Sequence, residues 1–281
     1  MLSRSKITNE KRGDLIMGRN DKCFCGSGKK YKNCHNDIHE ESIAADVLRL
    51  YSSIDEDIKV NNKKKICQKG CSECCSDFFL ISEAEFAVIL SYFKSTYGNE
   101  MTNELIKKGI EFSKTFEKDE PEYFRQLTEN MNTSKSLDSL NRLIINNIPE
   151  KQSLPCVFLN NENQCMIYDV RPVICRIHGI YLKSTDSKNV RVCSKIPTYE
   201  SNISNMLYLD NYEEKMKELF QYKVENKNLV MIRREYPIFY YFKFYFDQNK
   251  DVEFYFNHPI ISRILGQSKK TLFDLMCQVN K

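Results

Sequence analysis

The sequence predicts a mainly α-helical protein with a small β-hairpin, organised as a metal-stabilised cysteine-rich domain behind a short N-terminal zinc module. Three observations lead there. Apolar residues recur at helical spacing along most of the chain. One pair of aromatic runs flanks a polar turn. Eleven of the 12 cysteines fall into three groups. With 281 residues, 41% of them hydrophobic, the chain can bury a core and stands apart from disordered sequences.

Charge narrows the partners. The 42 Lys and Arg against 38 Asp and Glu leave a net +4, too little for a general nucleic-acid binder, so any basic partner surface is local and sequence-specific DNA binding is not expected. No apolar run approaches the ~18 residues of a membrane span. Residues 1–17 are polar and lack the apolar stretch of a secretory leader; they read as a disordered extension, with Met17 an alternative start. Twelve cysteines without such a leader point to a reducing, cytoplasmic setting, where thiolates serve as metal ligands or redox groups.

The first group is Cys23, Cys25 and Cys34, followed at once by His35. Three thiolates and one imidazole make a complete tetrahedral zinc set. Gly26-Ser27-Gly28 lets the chain reverse at positive φ. A segment this short cannot fold by burial alone, so bound metal would supply its folding free energy. Arg19, Lys22, Lys29, Lys30 and Lys32 face only Asp21. That patch suits an acidic protein surface or RNA phosphate; the plainer reading is a solvated face offsetting thiolate charge.

The stretch GRNDKCFCGSGKKYKNCH resembles the SEC-C motif over residues 18–36. Lys22 and Phe24 stand where that family usually has proline, which removes no ligand. The resemblance implies zinc on Cys23, Cys25, Cys34 and His35, in a module that docks to a protein partner or the ribosome.

Residues 37–62 read as a helical linker, with Ile43, Val47, Leu50, Tyr51, Ile54 and Ile58 on one face. The second group then follows as Cys67, Cys71, Cys74 and Cys75, spaced CxxxCxxCC. If this stretch is extended, the adjacent Cys74 and Cys75 point to opposite faces. Ser82 and Glu85 form a capping box opening a helix whose stripe is Phe86, Ile89, Leu90 and Phe93. The third group is Cys156, Cys165, Cys175 and Cys193. An Asn-rich turn separates the first two, and Pro172 opens the turn that carries Cys175.

These residues resemble the YkgJ-type cysteine-cluster family through CxxxCxxCC, the PCVFL segment at 155–159 and CMIYDVRPVICR at 165–176. The domain is placed at 63–200, with a helical insert between its halves. The resemblance implies a zinc- or iron-chelating domain with all eight cysteines as candidate ligands. Zinc and iron–sulfur clusters, including [4Fe-4S], both accept four thiolates, so ligand type does not choose between them. Eight thiolates allow two four-cysteine sites, or one cluster plus a redox pair. Arg171, Arg176 and Arg191 can offset thiolate charge or engage in ordinary ion pairs. His178 fits a metal ligand, a proton shuttle or, preferably, a hydrogen-bonded turn histidine.

Three function classes follow. The first is a metal-binding protein with a docking module. The second is an iron–sulfur-dependent protein-modifying enzyme, because flagellin lysine-N-methylases carry a similar cysteine-cluster domain. The third is a redox or metallochaperone role. The triplet Cys67, Cys71, Cys74 also matches radical SAM spacing, but helix follows helix here and no βα barrel is expected.

Residues 82–147 read as helical throughout. Leu105, Ile106, Ile110 and Phe116 form a second stripe. Leu137, Leu140, Leu143 and Ile144 form a third, behind a Ser134 cap. Residues 201–281 extend the domain, with a helix over 210–222, a hairpin of two aromatic strands around Asp247–Lys250, and a closing helix over 259–280 in which Cys277 packs.

Overall fold

The coordinates are a computed structural model, describing residues 17–61, 68–131, 154–180, 182–183, 189–190, 193–195, 207–208, 215, 221–223, 230–232, 235–247 and 250–267. The third stripe with Ser134, together with Cys67, Arg191 and Cys277, lies outside them. The described part is mostly helical, as expected.

Helix α1 spans Ile43–Asn61. Val47, Leu50, Tyr51, Ile54 and Ile58 are buried, so the expected stripe faces the core. Helix α2 spans Glu83–Asp119 and is interrupted at Gly98 (φ +81°). Ser82 and Glu85 form the reciprocal cap at its start. Its face of Phe86, Ile89, Leu90, Phe93, Leu105, Ile106 and Phe116 is buried. Helix α3, Pro121–Met131, follows after one residue. The short α4, Val173–Ile177, is capped by Pro172.

The region expected to be an aromatic hairpin is helical instead. Ile238–Phe246 forms α5 and Val252–Phe256 forms α6. Phe239, Phe242 and Phe246 are buried while Phe244 is exposed, which is a helical period within a run so uniformly aromatic that alternation and helicity look alike. Asp251, just past the expected turn, is the N-cap of α6: its carboxylate accepts from Phe254 N–H at 2.9 Å. The small hairpin lies earlier, where β5 (Gln221–Lys223) pairs antiparallel with β6 (Val230–Ile232). Residues 221–222 are therefore strand, where a helix was expected. Three further pairings are present among the described residues. β1 (Leu80–Ile81) pairs with β7 (Tyr236–Pro237), and β2 (Leu182–Lys183) lies between β3 (Asn189–Val190) and β4 (Leu207–Tyr208).

The core is built where α2 crosses α5. Gly109 admits the ring of Phe242 against the α2 backbone; a Cβ there would stand 2.3 Å from Phe242 Cγ. Phe86 stacks on Tyr241 at 4.9 Å and meets Phe242 edge-on at 5.1 Å. Two hydrogen bonds fix the crossing: Ser113 Oγ donates to Phe239 O (2.5 Å) and Tyr241 OH to Ile81 O (2.9 Å).

Helix α7 spans Pro259–Ile264 and ends there, short of the expected 280. Gly266 adopts φ +76°. Its N–H donates to Arg263 O and that of Gln267 to Ser262 O, a helix-terminating pattern glycine favours. His39 packs against this glycine, its Cβ 2.4 Å from where a Gly266 Cβ would lie. The His39 N–H also donates to Leu265 O (2.8 Å). Among the described residues no helix is long and apolar enough to cross a membrane.

Candidate metal centres

A loop and a turn assemble the N-terminal site. Cys23 N–H donates to Lys29 O and Tyr31 N–H to Asp21 O, both at 2.8 Å, and Lys22 bridges Lys30. Gly26 and Gly28 reverse the chain at φ +75° and +73°, a conformation costing other residues about 1–2 kcal/mol. The 3₁₀ turn Tyr31–Asn33 then delivers Cys34 and His35. The donor atoms of Cys23, Cys25, Cys34 and His35 all lie within 4.8 Å of one another. Sγ of Cys25 and Cys34 are 3.5 Å apart. His35 Nδ1 is 3.4 Å from Cys23 Sγ and 3.2 Å from Cys34 Sγ. Tetrahedral zinc, with bonds of about 2.3 Å to sulfur and 2.0 Å to nitrogen, sets edges of roughly 3.6–3.8 Å. The set fits zinc with small outward shifts, and Nδ1 is the ring nitrogen that faces the thiols.

Electrostatics agree. Burial pushes Cys23 up to about 12. Burial also opposes ionisation of Cys25, but contacts with His35 and Ser27 outweigh it and bring Cys25 down to about 6. Cys34 is raised by burial, with Cys25 adding to it. Thiols this close cannot all ionise unless a cation joins them.

The module is seated on the body of the protein. A Cβ on Gly26 would fall 2.0 Å from Ser52 Oγ of α1. The Arg49 guanidinium lies 5.2 Å from the Phe24 ring, and that ring meets His35 at 5.9 Å. Phe24, a departure from the family's proline, thus packs between the site and α1. Tyr31 OH donates to Ile38 O (2.7 Å), and Ser91 of α2 donates to Asp37.

The second site joins two distant segments. Cys71, Cys74, Cys75, Cys156, Cys165 and Cys175 line one cavity of about 60 Å³. Asp77, Tyr168 and Arg171 share its wall, beside Phe79, Phe112 and Phe239. Cys74 and Cys75 occupy a 3₁₀ turn, Glu73–Ser76. The tight turn brings both thiols to the same cavity and into contact with each other, correcting the opposite-faces expectation for an extended strand. Cys156 N–H donates to Cys75 O (2.7 Å) and splices the halves together. Asn160 Oδ1 accepts from Glu162 N–H and Gln164 N–H, closing the loop that pairs Leu159 with Cys165. Cys175 sits within α4.

The cavity thiols feel one another. Contact with Cys75, then burial, then the charges of Asp77 and Cys71 raise Cys74. Burial pushes Cys156 up to about 12, with Cys165 and Cys74 adding. Burial raises Cys175 well above its ordinary value; Arg171 opposes this. Among the described residues, the N-terminal set is the one group of three or more donors drawn within 4.8 Å, so the cavity set is the wider. Cys193 is buried outside that lining. Two residues on, Lys195 Nζ stands 3.6 Å from Cys71 Sγ and 3.5 Å from the Glu73 carboxylate.

The arginines divide their roles. Arg171 is buried in the cavity wall, its guanidinium 3.7 Å from the Tyr168 ring. Arg176 pairs with Asp55 of α1 and donates to Arg171 O (2.8 Å). His178 is hydrogen-bonded: Nε2 lies 3.1 Å from Asp77 Oδ2, and its ring meets Phe79 at 5.0 Å. Sequence reasoning passed over Asp77, although it follows CCS directly. It saw in Glu85 only a cap. Glu85 also accepts from Val173 N–H (2.9 Å) and Tyr51 OH (3.3 Å), tying α4 to α1 and α2.

These features define a metal-binding cysteine-cluster protein. Residues 66–194 match the CxxCxxCC family, described as "Putative zinc- or iron-chelating domain", and residues 19–37 match the SEC-C motif, in the order expected. Over 23 residues the chain is 83% identical to "Protein translocase subunit SecA" of Koribacter versatilis (strain Ellin345). The match spans 8% of this chain and 2% of that protein. No solved structure matches the chain.

Proposed function

We propose that the chain carries two metal centres and docks through the first of them. Zinc sits on Cys23, Cys25, Cys34 and His35. Zinc or iron sits in the cavity on thiolates drawn from Cys71, Cys74, Cys75, Cys156, Cys165 and Cys175, with Cys67 and Cys193 as further candidates. The observation that carries this reading is the convergence of segments 71–75 and 156–175 on one cavity. Six half-buried thiols there repel one another on ionising; a bound cation reverses that balance. In the N-terminal module the metal supplies folding free energy, and the exposed Lys29 and Lys32 beside it offer a basic edge to an acidic protein or ribosomal surface.

Anaerobic purification followed by metal and acid-labile sulfide analysis tests the reading. The expected result is one zinc at the N-terminal module plus metal in the cavity. Cys34→Ser removes the first and Cys156→Ser the second. A chain that keeps its full metal content in both variants sinks the proposal. Iron with labile sulfide would favour the enzyme reading of the cavity, and zinc alone would eliminate it.

A further inference from the structure

We propose that Asp77 supplies an oxygen donor to the metal centre of the cysteine cavity, its carboxylate held in place by the imidazole of His178. The inference rests on the reading that the cavity holds a metal. Asp77 directly follows the turn that presents Cys74 and Cys75, and its N–H closes on Cys74 O at 3.0 Å. Its side chain lines the cavity with the six cysteines. One carboxylate oxygen, Oδ2, lies 3.1 Å from His178 Nε2.

His178 is itself fixed. It is buried at the end of α4, the helix that carries Cys175. Its ring abuts Phe79, another residue of the cavity wall. Imidazole engaged with one carboxylate oxygen sets the tilt of the other, the arrangement by which outer groups orient metal ligands. Without a cation, a carboxylate on the wall of a six-cysteine cavity adds negative charge where more is unwelcome. A divalent ion turns the same charge into a ligand, and oxygen, nitrogen and sulfur donors mix readily around zinc or iron. Arg171 in the wall, Lys195 beside Cys71 and Lys108, whose charge reaches Cys156, are described cations near this anionic group.

The test is anaerobic titration of the metal-free full chain with cobalt(II), read by sulfur-to-cobalt charge transfer and ligand-field bands. The N-terminal ligands are untouched in every variant, so their contribution cancels in difference spectra. Asp77→Asn keeps an acceptor for His178 and removes the anionic donor. It is expected to weaken cavity binding by about 100-fold or more and to move the ligand-field bands. Asp77→Cys restores uptake with stronger charge transfer. His178→Ala weakens binding about 10–100-fold with the bands unmoved, the effect of an orienting group. Asp77→Asn with unmoved bands, whatever its affinity, overturns the proposal. A wild-type chain that takes up cobalt only at the N-terminal set overturns the metal reading of the cavity, and this inference with it.

Discussion

Glu85, at the first turn of α2, accepts a hydrogen bond from the backbone N–H of Val173, 88 residues away, at 2.9 Å. The same carboxylate accepts from Ser82 N–H (2.9 Å) and Tyr51 OH (3.3 Å). One buried side chain thus joins the cap of α2, the core helix α1 and the helix that carries Cys175.

Glu85→Gln should destabilise the fold by about 1–3 kcal/mol, because an amide NH₂ replaces one acceptor oxygen among donors. Burial holds the Glu85 carboxyl above its ordinary value, with the hydrogen bonds opposing. Above the ordinary carboxyl range the unfolded chain has released a proton that the folded protein still holds. This group's contribution to stability therefore falls as pH rises through that window. Urea unfolding at a series of pH values should show that slope in the wild type and its loss in the variant. An unchanged slope would show that Glu85 is not its source.

Gly26→Ala should loosen the N-terminal module. It places a Cβ at φ +75° and 2.0 Å from Ser52 Oγ. The backbone term alone costs about 1–2 kcal/mol. Zinc release to a chelator should be faster in the variant. Adding Ser52→Ala should recover part of the loss, because it removes the Oγ clash and leaves the backbone cost and a 3.1 Å approach to the Cβ of residue 52.

Gly109→Ala tests the α2–α5 crossing. Alanine favours a helix over glycine by about 1 kcal/mol, which would stabilise an open site. Here the new methyl meets the Phe242 ring at 2.3 Å, and overpacking costs about 1–3 kcal/mol. The clash should win, lowering the thermal midpoint; a raised midpoint would mean the crossing yields easily.

Cys34→Ser should expose amides of residues 18–35 to hydrogen exchange while cavity metal is retained. The two donor sets share no residue, and no residue of 18–35 belongs to the core cluster around α2 and α5. Exchange that also rises across α2 would instead reveal one cooperative unit.

The convergence of Cys23, Cys25, Cys34 and His35 was legible because it is written in spacing: these four need only a glycine turn to meet. The helical faces of α1 and α2 were legible for the same local reason. Where local pattern was degenerate, it misled. The aromatic run from Phe239 to Phe246 carries no charged residue except Lys243, so strand and helix patterns coincide, and only packing against Gly109 and Phe86 decides. The adjacent pair Cys74 and Cys75 depends on a 3₁₀ turn that no spacing rule announces. The pairing of Asp77 with His178 and the bond from Val173 to Glu85 reach across 88 residues or more, which no local window contains.

The N-terminal knuckle is clamped at its exit, where His39 binds Leu265 O and Gln267 Nε2 donates to Asp37 O (3.0 Å). It is a handle bolted to the machine, not a hook on a string. A seat of this kind holds the N-terminal donor set and the cysteine cavity at one fixed bearing to each other.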